Sequence, residues 1–245
     1  MLMKAAPLYL LQDSDNPQAR ICGRCEVRRS ALFGALDASS LERIHGAIES
    51  PTVPAGSVIY PQGRHGAHVY TLRRGIVRFE RYTEGGDRRI VRLAGRGDLI
   101  GQEALLGRPY AEEAVACTEV QLCRIPCALV NQLGETEARL LRELMQRWQH
   151  ALERAEDWVT DLTTGLARRR TLKLLAQIDA YADDDGRIWL PRRDEMGAML
   201  DITLETASRI VSQLRRDGVL TLEAPGHARL DRERLQQALR ALDDA

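Results

Sequence analysis

Glu205, Ser208 and Arg209 stand three and four residues apart in the segment Leu204-Glu205-Thr206-Ala207-Ser208-Arg209-Ile210-Val211-Ser212-Gln213-Leu214-Arg215-Arg216. At helical spacing Ala207, Ile210, Val211 and Leu214 share one apolar face, which leaves Glu205, Ser208, Arg209 and Ser212 facing outward. These outward types suit the edges of nucleic-acid bases. Arginine donates bidentately to guanine O6 and N7, a carboxylate accepts from cytosine N4, and a serine hydroxyl touches a thymine or a phosphate. Thr203 can cap the helix, and a cap of this kind also places backbone N–H groups near a phosphate. The plain alternative is a solvated amphipathic helix with an internal Glu–Arg pair of little energetic weight.

The surrounding pattern favours the first reading. Arg192 to Leu200 reads as a helix with its apolar residues on one face, and Asp201-Ile202-Thr203 reads as a short turn before the next helix. Asp217-Gly218 ends that helix. Val219–Glu223 and Ala228–Leu230 then flank Pro225-Gly226 as a small hairpin, and a last helix runs from about Asp231 to Leu242. Ahead of this unit, Leu166 to Tyr181 reads as a helix and Arg187 to Leu190 as a short extended piece. Arg168 to Arg170, Arg192, Arg193, Arg215 and Arg216 could form a local positive face, although the chain as a whole carries 35 Lys plus Arg against 35 Asp plus Glu. That balance argues against a bulk polyelectrolyte binder and leaves local phosphate contacts open.

The second chemical signal is thiol. Five cysteines fall in two groups, Cys22 and Cys25 in a Cys-x-x-Cys, then Cys117, Cys123 and Cys127. Residues 1–11 lack the pattern of an export leader, and no apolar run approaches the roughly 18–20 residues needed to cross a bilayer. A cytoplasmic chain without a disulfide framework is therefore expected, and metal ligation, dithiol chemistry and plain packing stay open for the cysteines.

The intervening chain supplies the frame. Residues 1–30 read as an irregular segment holding the Cys-x-x-Cys. Leu36, Leu41, Ile44 and Ile48 then repeat at helix spacing within Leu32 to Glu49. Ser57–Tyr60, His68–Leu72, Ile76–Tyr82, Arg89–Leu93 and Ala114–Ile125 are short strand-like runs broken by glycines, with Gly85-Gly86 as a hairpin tip, which suggests an antiparallel roll over 31–132. Residues 133–162 read as one long helix. Leu141, Leu144, Trp148, Ala151, Ala155, Trp158 and Leu162 alternate three and four apart along it, a heptad seam that wants a partner helix and suggests a homodimer. Residues 163–245 form the helical unit described above. The fold class is α+β.

Gly75-Ile76-Val77-Arg78, Gly97-Asp98-Leu99-Ile100-Gly101 and Leu204-Glu205-Thr206-Ala207-Ser208-Arg209-Ile210 resemble segments of the cyclic-AMP receptor protein/FNR (CRP/FNR) family of bacterial regulators over roughly residues 30–230. The resemblance implies a cyclic-nucleotide-binding-type β-roll, a dimerisation helix and a C-terminal winged helix-turn-helix, with promoter DNA and RNA polymerase as partners. Glu-Thr-x-Ser-Arg is similar to the recognition pattern of the FNR branch. It implies that Glu205, Ser208 and Arg209, with Thr203 and Ser212 beside them, read an inverted TTGAT-like repeat whose half-sites lie about one helical turn apart.

Three signals compete. For cyclic nucleotide, the stretch Gly101-Gln102-Glu103-Ala104-Leu105 is followed by Arg108-Pro109-Tyr110-Ala111-Glu112-Glu113; one cation, a proline lacking an N–H and two carboxylates make a poor phosphate cradle, so nucleotide is disfavoured. For an iron–sulfur cluster, Cys22, Cys25 and Cys123 match the family's ligand positions, the third N-terminal cysteine is missing, and Cys127 is the candidate substitute; Cys117, about 20 Å from Cys123 along one strand, is not. For haem, His65 and His68 are the candidate ligands. A dithiol redox protein using Cys22 and Cys25 is the rival from another class, and a nucleotide-binding module with a protein-binding helical tail is a third.

Overall fold

The computed structural model describes residues 17–23, 25, 27, 32–35 and 44–243. Most of the segment 1–30, and residues 36–43 of the helix expected over Leu32 to Glu49, lie outside the described residues. The chain divides into two compact units, residues 1–79 with 93–152 and residues 80–92 with 153–245.

A short helix, α1 (Pro17–Gly23), ends beside the first thiols, so this part of the N-terminal segment is helical rather than irregular. Eight strands follow: β1 (Thr52–Val53), β2 (Val58–Tyr60), β3 (His68–Arg74), β4 (Val77–Tyr82), β5 (Arg88–Ala94), β6 (Leu99–Ile100), β7 (Glu113–Ala116) and β8 (Val120–Pro126). They form two four-stranded sheets in the orders β1-β8-β3-β6 and β2-β7-β4-β5. The run Ala114–Ile125 is therefore two strands in two sheets, and Cys117 and Cys123 do not share one strand. The break at residues 117–119 is where the chain crosses between sheets, and the Thr118 hydroxyl there accepts the Ile76 N–H at 3.0 Å.

Gly75 makes that crossing possible. Its φ is +90°, and a Cβ on it would lie 2.3 Å from the Glu119 carbonyl oxygen, so two backbones meet where no side chain fits. The tip at Gly85-Gly86 closes through the Thr83 N–H to the Asp87 carbonyl at 3.0 Å, with Gly86 at φ +84°.

The expected single helix over 133–162 is two helices. α2 (Cys127–Thr136) stops at Glu137, whose φ of −111° and ψ of 83° are not helical, and α3 (Ala138–Leu162) restarts immediately. At 1.5 Å per residue, the 25 residues of α3 span roughly 37 Å.

Beyond α3 lie α4 (Ala167–Asp179), β9 (Arg187–Trp189), α5 (Arg193–Leu200), α6 (Leu204–Arg216), β10 (Leu220–Ala224), β11 (His227–Leu230) and α7 (Arg232–Asp243). Strands β10, β11 and β9 form a three-stranded antiparallel sheet. The core of this unit is built from Leu172, Leu175 and Ile178 of α4, Met196 and Leu200 of α5, and Ala207, Val211 and Leu214 of α6, all buried. The apolar residues on α6 are those its 3.6-residue period selects.

Gly75→Ala combines a left-handed residue with a backbone clash, so it should lower unfolding free energy by about 2–4 kcal/mol. Urea unfolding followed by circular dichroism measures this; an unchanged midpoint would show that the crossing relaxes freely.

Candidate nucleic-acid interface and thiol cavity

The turn between α5 and α6 is held by backbone geometry. Asp201 adopts φ 54° and ψ 53°, the left-handed conformation of a helix C-cap, and its N–H bonds the Gly197 carbonyl at 2.9 Å. A Cβ on Gly197 would lie 2.8 Å from the Ile202 carbonyl oxygen, so the turn passes over that glycine at a distance few other residues permit. Thr203 then caps α6, its Oγ1 accepting the Thr206 N–H at 3.2 Å. This is a helix-turn-helix built around a close backbone approach.

The five sequence-selected residues of the second helix fall together on its outer flank. Thr203, Glu205, Arg209 and Ser212 are exposed and Ser208 is half-exposed. The Glu205 carboxylate is held below its ordinary range by its own backbone N–H and by the Thr203 hydroxyl, which keeps it ionised as an acceptor. Arg209 has no hydrogen bond or ion pair among the described residues, so its guanidinium is available to a ligand.

The expected positive face is only partly free. Arg168 bonds Asp217 at 2.8 Å, Arg170 donates to the Leu200 carbonyl, and Arg192 lies 3.3 Å from Asp194 and 3.4 Å from Glu195. Burial and then the charge of Arg215 lower the pKa of Arg193. Like charges that repel in this way are stabilised by a polyanion.

The seam expected on α3 divides. Leu144, Trp158 and Leu162 are 7%, 8% and 0% exposed, so they pack inside the chain, and Ala151 is half-buried. Leu141 at 48%, Trp148 at 38% and the exposed Ala155 lie on the water-facing side instead, and with them come Met145 at 68%, Leu152 at 54% and Val159 at 60%. The corrected stripe, Leu141-Met145-Trp148-Leu152-Ala155-Val159, steps four and three residues apart throughout. It is a heptad seam in a register that shares every other residue with the expected one.

The thiols converge elsewhere. A cavity of about 50 Å³ is walled by Cys22, Cys25 and Cys123, together with His45, Thr71 and apolar residues including Phe33. A polar chain ties the N-terminal segment to β8 there. The Gln18 amide lies 3.6 Å from the Cys22 sulfur, the Ser50 hydroxyl donates to Gln18 at 2.9 Å, and the same hydroxyl lies 4.0 Å from the Cys123 sulfur. Among the described residues no three His, Cys, Asp or Glu side chains stand close enough to hold a single ion as they are.

Sequence comparison matches the roll and the helix-turn-helix unit separately. The cyclic nucleotide-binding domain family matches residues 51–137, and the Crp-like helix-turn-helix domain family matches residues 169–238. The transcriptional activator protein FnrL of Cereibacter sphaeroides is 28% identical over 215 residues, 84% of this chain and 86% of its own. A probable transcriptional activator of Rhizobium leguminosarum bv. viciae is 26% identical over 211 residues, 82% of this chain and 85% of its own. The solved structure of FixK2 from Bradyrhizobium japonicum superimposes with a TM-score of 0.69 at 26% identity, covering 78% of this chain and 96% of that one. The chain belongs to the CRP/FNR family of transcription regulators. Its fold is that of a DNA-binding regulator rather than an enzyme.

In this CRP/FNR regulator the other sequence-selected positions lie apart from the thiol cavity. Cys127 opens α2, where its N–H bonds the Ala67 carbonyl at 2.8 Å, and it does not line the cavity. The reason is spacing: four residues of extended chain put it roughly 13 Å beyond Cys123. Beside Gly101, in the stretch corresponding to a nucleotide cradle, the Tyr110 ring stacks on Tyr60 at 4.0 Å and its hydroxyl donates to the His68 carbonyl at 2.7 Å. Arg108 points to solvent, and the Glu103 carboxylate accepts the Ala111 N–H at 3.4 Å. His65 is exposed, while the half-buried His68 lies 3.5 Å from Arg124 and is pushed towards its neutral form by burial and by that cation. His45 was not selected from the sequence; a lone histidine 20 or more residues from the nearest thiol carries no local signal.

Burial, with Cys22 next in weight, pushes the Cys123 thiol up to about 11. Metal-free protein should therefore alkylate at Cys123 slowly at pH 8 and faster as pH rises towards 11, because only the thiolate reacts. Mass spectrometry of iodoacetamide-treated protein tests this, and rapid labelling at pH 8 would contradict it.

Proposed function

We propose that this regulator acts in the cytoplasm as a homodimer on an inverted TTGAT-like repeat in promoter DNA, with RNA polymerase as its onward partner. Its binding is under redox control through Cys22, Cys25 and Cys123. The observation that carries the DNA reading is the free Arg209 guanidinium beside an ionised Glu205 on the outer flank of a capped helix. Both groups have the donor and acceptor character that guanine and cytosine edges require in the major groove. The corrected α3 stripe supports the dimer, since six apolar positions at heptad spacing suit a second copy of the same helix.

Redox control is supported by the meeting of Cys-x-x-Cys with Cys123 at one cavity. Those thiols fit three ligand positions of an iron–sulfur cluster, which would supply oxidant-sensitive chemistry that a buried thiol lacks. A cyclic nucleotide is disfavoured as the signal because Tyr110 and Tyr60 fill the space beside Gly101 and the one nearby cation, Arg108, points away. Haem is disfavoured because His68 faces Arg124 and His65 is exposed.

Arg209→Ala should cost about 1–3 kcal/mol of discrimination at the guanine-bearing position of the half-site, beyond any general weakening. Fluorescence anisotropy with the inverted repeat and with single-base variants measures it. Equal weakening on every sequence would overturn direct readout by Arg209.

Leu152→Glu places a charge in the middle of the exposed seam and should shift sedimentation from dimer to monomer without lowering the melting temperature of the monomeric fold. A dimer that persists in this variant would remove α3 as the interface.

A further inference from the structure

Resting on the half-site reading above, we infer that Leu204 is a further specificity-determining residue. It packs against the 5-methyl group of a thymine next to the guanine–cytosine pair of the half-site. Leu204 is the first residue of α6, directly after the Thr203 cap. It is 51% exposed, although the helical period places it at the edge of the packed face, three residues before Ala207 and seven before Val211. Those two are 0% and 1% exposed, so the core takes up the helix only from Ala207 onward. Of the three residues that precede Ala207 in α6, Leu204 is the one large apolar side chain.

Its neighbours indicate what meets it. Glu205 is next in sequence and Ser208 lies one turn on, so Leu204 adjoins both on the outer flank. Helix-turn-helix proteins dock the N-terminal residues of this helix on base edges in the major groove. Each A·T pair presents one apolar group there, the thymine methyl, and apolar side chains contact it. In TTGAT, both pairs that flank the guanine–cytosine pair carry a thymine, one on either strand. Glu205 addresses the cytosine, so the adjoining Leu204 falls against one of those thymines.

The residue type points the same way. A carboxylate at the head of α6 would gain from the helix dipole, and a leucine gains nothing from it. Beside phosphates that carboxylate would be repelled, whereas leucine brings uncharged contact area. The exposed half of its side chain is stabilised only when something apolar covers it.

The test is fluorescence anisotropy of the full chain on the inverted repeat, with either flanking thymine of one half-site replaced by deoxyuridine. The exchange removes one methyl group and keeps every hydrogen-bonding atom of the base. The parent chain should lose about three- to fivefold in affinity at one of the two positions, the worth of one methyl taken out of water. Leu204→Met should retain that preference. Leu204→Ala should bind the thymine and deoxyuridine sites equally while the guanine preference conferred by Arg209 persists, which separates lost contact from lost folding. A parent chain indifferent to both exchanges, or Leu204→Ala that still prefers thymine, would overturn the assignment and leave the half-site reading intact. A parent chain that binds the repeat no better than scrambled DNA would overturn both.

Discussion

α3 carries apolar residues on two faces, and the molecule can bury only one of them by itself. Leu140, Leu144, Trp158 and Leu162 turn inward, so Leu141, Met145, Trp148, Leu152 and Val159 remain in water. Fully burying such a side chain is worth about 1.5–3 kcal/mol, and these are roughly half exposed, so each gains on the order of 1 kcal/mol from a partner helix. Two protomers together bring on the order of 10 kcal/mol to the seam. Association itself costs about 4–15 kcal/mol, so the seam alone sits near balance. In the proposed dimer, a change of a few kcal/mol in how the roll and α2 support the start of α3 is then enough to move the equilibrium. A strongly apolar interface would not respond in that way.

The same helix shows where sequence reading reaches its limit. Two heptad registers fit its residues. One contains Leu144, Ala151 and Trp158, the other Met145, Leu152 and Val159, and both share Leu141, Trp148 and Ala155. Periodicity states that a face is apolar, and it does not state whether that face meets the chain's own core or another chain. α6 was legible because it has one apolar face and one polar face, so Ala207, Ile210, Val211 and Leu214 had a single place to go. The longer strands were legible by their spacing, whereas the two-residue strands β1 and β6 are too short to show a period, and the continuous run Ala114–Ile125 hid a change of sheet at residues 117–119 beside the close approach at Gly75.

The thiol cavity was half legible. Cys22, Cys25 and Cys123 stood out by type and spacing, while His45 and Thr71 belong to the site only through the pairing of β3 with β8 and the return of the N-terminal segment over it. Local sequence cannot encode that meeting. The covalent distance between Gln18 and Ser50, or between Ser50 and Cys123, is bridged by hydrogen bonds that exist only in the folded chain. Those contacts tie Gln18 of α1 through Ser50 to Cys123 of β8. In the proposed redox reading, chemistry at Cys22 would be felt at β8, which runs directly into α2 and then α3.

The neutral net charge is consistent with readout by few residues. Asp217 occupies Arg168, Asp194 and Glu195 occupy Arg192, and the pair left under mutual repulsion is Arg193 and Arg215. On the proposed reading, base edges carry the recognition. The cap on α6 serves that purpose, since Thr203 and the backbone N–H hold the Glu205 carboxylate at the head of the helix and so keep it from closing an internal pair with Arg209. Such a pair would be worth only about 0.3–0.5 kcal/mol, so holding it open costs the fold little. The result is an Arg209 with no ion pair among the described residues.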